Sequence, residues 1–478
     1  MAGGHTLQLF FITLFFIVNA EKPSRRETLE IIIGGGDGSP PSPPPENQDC
    51  PPPPPPPCPP PPKPKPPPPP PPKVYPSPSP PPPKRSPPPP PPPPNGFESS
   101  RLALVYPVIQ AFKLKITQDP KGITKTWTGK HICRDYKGFL CDTVPDKNEK
   151  ALAGVKFNGF NFSGPNLHIS DFLIGLPDIV FFHANSNNFV GSIPTDINKL
   201  RYFYELDLSN NKFSGSFPYQ VLQANKLQFL DLRFNSFAGV VPPQVFLLNL
   251  DLLFINNNNF VQKLPENLGS TTALYLTLAN NQFIGGIPPS IGQASDTLLE
   301  VLFLNNRLTG CLPYEIGLLK KATVFDVRTN LLTGPIPHSF QCLKKMEILN
   351  LGRNQFYGVV PEAVCGLAEL SNFTLSYNYF TQVGPQCRKL IENGVLDVKM
   401  NCILDLPNQR SAADCARFFS MTHSCPNEKS LTYVPCSQGY SRGELESSDA
   451  EVSDPMIAPV LAPAQAPRRG SYGALSPH

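Results

Sequence analysis

Asp207 and Asp231 stand in equivalent slots, each between two leucines, 24 residues apart in a chain of 478. On neighbouring strands their carboxylates would lie about 5 Å apart, the separation of a retaining glycosidase pair. The same slot holds Asp326 and Asn350, however, so the pattern itself favours a polar residue there and no enzyme is expected. Ser/His/Asp triad order, a phosphate-binding loop and a zinc-helix motif are all missing from the sequence. Cys415, His423, Cys425 and Cys436 could in principle ligate a metal. Leu7 to Val18 and the small-residue run Val18-Asn19-Ala20 read as a secretory signal, which places these thiols in an oxidising compartment. Disulfides are therefore expected there, with no metal and no cofactor.

The expected pairs are Cys133–Cys141, Cys342–Cys365 (nearly equivalent places one repeat apart), Cys402–Cys415 and Cys425–Cys436. Cys50 and Cys58 bracket seven prolines. In a polyproline II helix they would stand about 25 Å apart, too far to bond to each other. They should pair with other chains or with the folded body. The sequons Asn161-Phe162-Ser163 and Asn372-Phe373-Thr374 mark Asn161 and Asn372 as N-glycosylation candidates.

The element that positions these residues is an internal repeat. Its clearest copy runs Phe203-x-x-Leu206-x-Leu208-x-x-Asn211-x-Phe213-x-Gly215, and asparagines recur at 187, 211, 235, 258, 281, 306, 330, 354 and 378. That period is the signature of leucine-rich repeats. The leucine-type residues face a shared core, short parallel strands stack beside one another, and each asparagine amide satisfies backbone groups at a turn. A degenerate copy with Leu152, Val155 and Phe157 opens the array. The copy read as Leu299, Leu302, Leu304 and Asn306 is one residue short, so a local bulge is expected there. Upstream, Leu104, Val108, Phe112 and Ile116 recur in steps of four, the spacing of a helix face, with Pro107 at its start or a kink.

Side chains beside the core leucines should line the concave face. Phe181, His183, Glu205, Asp207, Phe229, Asp231, Arg233, Phe234, Phe254, Tyr275, Thr277, Asp326 and Arg328 are the candidates. Aromatic anchors beside carboxylates suit a basic peptide or protein partner, while His183 reads as plain polar surface.

Composition splits the chain. Of 64 prolines, 38 fall between Pro40 and Pro94, a window that can supply neither a ladder nor a core. That arm carries Lys63, Lys65, Lys73, Lys84 and Arg85, so its expected partner is an acidic polymer. The overall charge of +4 lacks the excess of a nucleic-acid binder. No segment after the signal is apolar for long enough to span a membrane.

Leu308-Thr309-Gly310-Cys311-Leu312-Pro313 and Met400-Asn401-Cys402-Ile403, with the Trp127…Cys133…Gly138…Cys141 block, resemble the leucine-rich repeat extensins of plant cell walls. The resemblance covers about Leu102 to Cys415. Ser79-Pro80 to Pro83 and Ser86-Pro87 to Pro94 likewise resemble extensin blocks, which implies hydroxylated, arabinosylated prolines and an oxidative cross-link at Tyr75. The same resemblance makes wall pectin the acidic polymer expected to meet the arm. In that family the extensin part follows the repeats; here it precedes them. The resemblance implies a non-enzymatic wall protein that binds small basic peptides of the rapid alkalinization factor type, in wall integrity or growth. Two alternatives are an inhibitor of microbial polygalacturonases and a purely structural wall protein.

The expected organisation is a signal peptide (1–20), a linker (21–39), the proline-rich arm (40–96) and an N-terminal cap (97–150). Leucine-rich repeats (151–385), a cysteine-containing C-terminal cap (386–436) and a disordered tail (437–478) follow. The expected fold is an α/β solenoid of about ten plant-type repeats with disulfide caps and a polyproline II arm.

Overall fold

The computed structural model describes residues 96–426 and 428–437. The signal, Cys50, Cys58, Tyr75, the arm up to residue 95 and the tail after residue 437 lie outside the described residues. Within them the chain is a leucine-rich repeat solenoid. Twelve strands form one sheet, opened by the antiparallel pair Phe139–Val144 and Glu149–Lys156 and parallel from there to Leu396–Asp397. Two smaller parallel sheets, of three and five strands, run along the flank.

Each turn of the coil is built the same way. Leu206 and Leu208, like Leu230 and Leu232, are fully buried between the sheet and the opposite wall. Two residues past each asparagine, Phe189, Phe213, Phe237, Phe260 and Phe283 form a buried aromatic spine, and Phe213 and Phe237 stack at 6.2 Å. Prolines 218, 242, 288, 313 and 337 sit at the N-caps of short 3₁₀ turns on the opposite wall, where their fixed φ suits a helical start. The asparagine ladder closes the remaining backbone groups. Asn281 Nδ2 donates to the carbonyls of Ile255, Leu278 and Ala279 at 3.0–3.1 Å, and its Oδ1 accepts from Phe260 N at 3.1 Å.

That ladder extends one step beyond the periodic reading. Asn401 makes the same bonds to Leu375 and Val398, inside the segment read as cap, because strand Leu396–Asp397 pairs with Asn372–Thr374. The short copy near residue 300 is in fact regular. The buried residues are Leu298, Val301 and Phe303, so the frame starts one residue earlier than Leu299, and the strands pair in register with both neighbours. Alternating leucines at 299, 302 and 304 imitate the core pattern while pointing outward.

The N-terminal helix Ser100–Lys115 is capped by the Ser99 hydroxyl, which accepts from Leu102 N at 3.1 Å. It runs through Pro107, and its buried face is Leu102, Val105, Ile109 and Phe112; Leu104, expected inward, is 56% exposed. Trp127 is fully buried beneath it and donates its indole N–H to Lys137 O at 2.9 Å.

The structure bonds Cys133 to Cys141 and Cys402 to Cys415. Cys342 and Cys365 do not bond to each other. Cys365 pairs with Cys387 on helix Pro385–Glu392, 22 residues on and also about one repeat away. Nor do Cys425 and Cys436 pair. The segment that carries them folds back over the flank, where Cys425 meets Cys311 and Cys436 meets Cys342, across 114 and 94 residues. Phe418 stacks on Tyr379 at 3.6 Å, and Tyr433 meets Tyr314 edge-on at 5.1 Å, so this strap is packed as well as bonded.

Candidate protein-binding face

Along the concave sheet, register puts equivalent side chains in columns. Phe181, Glu205, Phe229, Leu252, Tyr275, Glu300, Val324, Ile348 and Asn372 share the first. Side chains alternate across a strand, so this column faces outward from the core leucines. From Phe229 to Ile348 it is an apolar run interrupted by Glu300. At about 4.8 Å per strand it is about 24 Å long. Phe229, Tyr275, Val324 and Ile348 are half-buried. Leu302 and Leu304, whose spacing suggested core, add to this surface. Leu252, Val324 and Ile348 escaped the reading of the sequence because aliphatic residues beside core leucines look like core; only the register separates them.

The second column is polar apart from Phe254 and Leu302, and its acids and amide have a structural duty. Asp207 Oδ1 accepts from Ser209 N (2.9 Å), Asp231 Oδ1 from Arg233 N (3.0 Å), and Asp326 Oδ1 from Arg328 N (2.9 Å). Asn350 and Asp397 do the same for Gly352 and Lys399. Each side chain thus pins the backbone two residues on, an Asx-type turn that ends the strand. These carboxylates are almost wholly enclosed, Asp207 at 3% exposure and Asp231 at 1%.

Their charges are largely spent inside the protein. Asn185 donates to Asp207 Oδ2 at 2.9 Å. Arg233 Nε lies 2.9 Å from Asp231 Oδ2, though that oxygen accepts no well-directed hydrogen bond. Burial, reinforced by the charge of Asp207, pushes the Asp231 carboxyl well above the usual range, against the pull of Arg233. His183 Nε2 lies 2.8 Å from Glu205, and Arg328 Nε lies 3.6 Å from Asp326. Burial, then the charge of Glu300, raises the Tyr275 phenol.

The remaining candidates vary in access. Phe181 (9% exposed) lies against Gly154, whose missing side chain leaves room for the ring, and touches His183 at 4.8 Å. Phe254 (6%) is covered by the Arg233 guanidinium at 5.1 Å, and Thr277 is buried. Arg328 and Phe234 are exposed. The two sequon asparagines, Asn161 and Asn372, are both exposed, and Asn372 ends the apolar column. Among the described residues no group of His, Cys, Asp and Glu is arranged to hold a metal, and no helix is long and apolar enough to cross a membrane.

Comparison with known proteins agrees with this architecture. The leucine-rich repeat family model matches residues 203–222. The chain is 52% identical over 327 residues to leucine-rich repeat extensin-like protein 6 of Arabidopsis thaliana, covering 68% of each chain. It is 45% identical to leucine-rich repeat extensin-like protein 7 of the same plant, covering 72% of this chain and 77% of that one. Against extensin-like protein 2, also from Arabidopsis thaliana, identity is 40% over 49% of this chain and 29% of the relative.

Among solved structures, the fold matches the ectodomain of the plant receptor kinase GASSHO1/SCHENGEN3 from Arabidopsis thaliana, itself in complex with CASPARIAN STRIP INTEGRITY FACTOR 2. That match has a TM-score of 0.52 and 21% identity, over 64% of this chain and 41% of the other. A plant ice-binding protein matches with a TM-score of 0.52 and 23% identity, over 65% of this chain and 98% of its own. These two likenesses speak to the fold; the relatives decide the family. The chain is a member of the plant leucine-rich repeat extensin-like family.

Proposed function

We propose that this is a secreted cell-wall protein whose concave face binds a protein or peptide partner, with the proline-rich arm holding it in the wall. The observation that carries the reading is the half-buried apolar column from Phe229 to Ile348 on a rigid parallel sheet. Such a strip is worth little in water and much against a complementary apolar surface. Small basic peptides of the rapid alkalinization factor type are the partners the family suggests. Because Asp207, Asp231 and Asp326 are engaged within the face and Glu205 is paired with His183, contact is chiefly apolar, and Glu300 is the acidic member of the column. A glycan on Asn372, one strand beyond Ile348, would limit access to the column from that end. The wall-holding role of the arm rests on its composition, with spaced basic residues for pectin and Tyr75 for cross-linking.

The test is a calorimetric titration of the full secreted chain with such peptides. Binding should survive moderate salt, fall at least tenfold in Ile348→Glu and Val324→Glu, and be indifferent to Lys212→Ala on the flank. Slowing of a fungal polygalacturonase by the same protein, with no peptide binding, would replace this reading with the inhibitor one.

A further inference from the structure

Beyond the apolar column, the last residue before each ladder asparagine forms a row along one rim of the sheet; its first six members are Ser186, Asn210, Phe234, Asn257, Asn280 and Asn305, and Thr329, Arg353 and Tyr377 continue it. The first six all have positive φ, between 51° and 56°. The repeat imposes that left-handed turn, which asparagine tolerates well and a bulky side chain does not. The backbone holds the row at a fixed step, since Phe234 N donates to Asn256 O (3.1 Å), Asn257 N to Ala279 O (2.9 Å) and Asn280 N to Leu304 O (2.9 Å).

The amides then join side chain to side chain. Asn305 Nδ2 donates to Asn280 Oδ1 at 2.7 Å, Asn280 Nδ2 to Asn257 Oδ1 at 3.2 Å, and Asn210 Nδ2 to Ser186 Oγ at 3.1 Å. Asn256 Nδ2, one residue inward, also donates to Asn257 Oδ1 at 2.7 Å. Polar atoms are left over: Asn257 Nδ2 has no acceptor, and Asn210 Oδ1, Asn305 Oδ1 and the enclosed Asn256 Oδ1 have no donor, among the described residues. Phe234 breaks the amide row. Its ring is 50% exposed and has no aromatic or cationic neighbour among the described residues. A solvent-facing phenylalanine in a conformation that disfavours it has no packing reason to be there.

We infer that this rim binds a neutral, extended, β-linked hexose chain, running along the coil axis with one sugar per repeat. The step between strands, about 4.8 Å, is comparable with the rise of one pyranose in such a chain. The apolar C–H face of one sugar stacks on Phe234. Flanking hydroxyls donate to Asn210 and Asn305 Oδ1 and accept from Asn257 Nδ2. From Ser186 to Asn305 the row carries no charge, which suits a neutral chain there; its first charged member, Arg353, lies two repeats beyond Asn305. This assignment is independent of the peptide reading, because it uses a different edge of the sheet.

Cellohexaose, titrated calorimetrically into the full secreted chain, tests it. Wild type should bind with an affinity that does not change with salt. Phe234→Asn restores the residue type that suits the left-handed turn, so it should keep or raise the denaturation midpoint while weakening cellohexaose binding about tenfold or more. Asn280→Leu, which cuts the amide chain, should weaken it too. Silence with cellohexaose, an unchanged affinity in Phe234→Asn, or binding that disappears in salt would each overturn the assignment, whatever the peptide titration gives.

Discussion

Replacing Asp231 by asparagine should make the protein more stable at neutral pH, although it deletes one partner of an ion pair. Asp231 is 1% exposed and its neighbour across the sheet, Asp207, is 3% exposed, so two carboxylates share a dry strip of sheet. Burial first, and the charge of Asp207 second, raise the Asp231 carboxyl well above its ordinary value of 3.8. A raised native pKa means that the native state holds the proton more tightly than the unfolded chain does. The penalty is therefore fully present above that raised pKa and disappears as pH falls towards 3.8. The repeat shows the remedy in its own sequence: Asn350 fills the same slot and donates Nδ2 to Asp326 Oδ2 at 3.3 Å, while its Oδ1 still accepts from Gly352 N at 3.2 Å.

An amide at 231 would reproduce both bonds, to Asp207 and to Arg233 N. Relief of a buried oxygen without a good donor is worth about 1–3 kcal/mol. Loss of attraction to Arg233, whose side chain is 32% exposed, subtracts about 0.2–1 kcal/mol after solvent screening. The net expectation for Asp231→Asn is a gain of about 1–2 kcal/mol near pH 7.5. It should shrink to nothing or reverse near pH 4. Urea unfolding followed by far-ultraviolet circular dichroism at both pH values measures it. A loss above about 1 kcal/mol at pH 7.5 would refute the reasoning, because it would mean that the Asp231–Arg233 pair outweighs its desolvation cost.

Three other outcomes follow from the same packing. Cys311→Ser with Cys425→Ser opens a loop of 114 residues, and should lower stability by about 4–5 kcal/mol in the chain-entropy account and expose the strap to limited proteolysis. Gly334→Ala should block that bond without touching a cysteine: Gly334 has φ +90°, and a Cβ there would collide with the sulfurs of both Cys425 and Cys311, so a free-thiol titration should find unpaired cysteine. Asn281→Ala leaves Phe260 N without its acceptor inside the core, while the carbonyls of Ile255 and Leu278 keep Asn258 and Asn306 as donors, and it should cost about 1–3 kcal/mol by denaturant titration.

What could be read from the sequence was whatever repeats. Asn187 to Asn378 and their leucines gave the strands, the inward amides and the concave columns, because each repeat meets only its neighbours and local spacing carries the information. The strap was hidden because its partners are 114 and 94 residues away and no period links them. Cys365 had two candidates, each about one repeat away, and spacing alone could not choose between Cys342 and Cys387. The binding face was misjudged in a different way. Asp207 and Asp231 looked like recognition carboxylates, yet the same slot that repeats them also ties them to the backbone two residues on. Leu302 and Leu304 looked like core and are half-buried on the outer face, since a leucine one residue out of frame differs only in which face of the strand it takes.

The central claim is that the Phe229–Ile348 column is a docking strip for a protein or peptide. Its most direct test compares wild type with Ile348→Glu in calorimetric titrations of the full secreted chain with a basic, cysteine-rich peptide of the rapid alkalinization factor type. Saturable binding to wild type, weakened at least tenfold in the variant while its unfolding curve is unchanged, is the predicted result. Equal affinity for both proteins would contradict it.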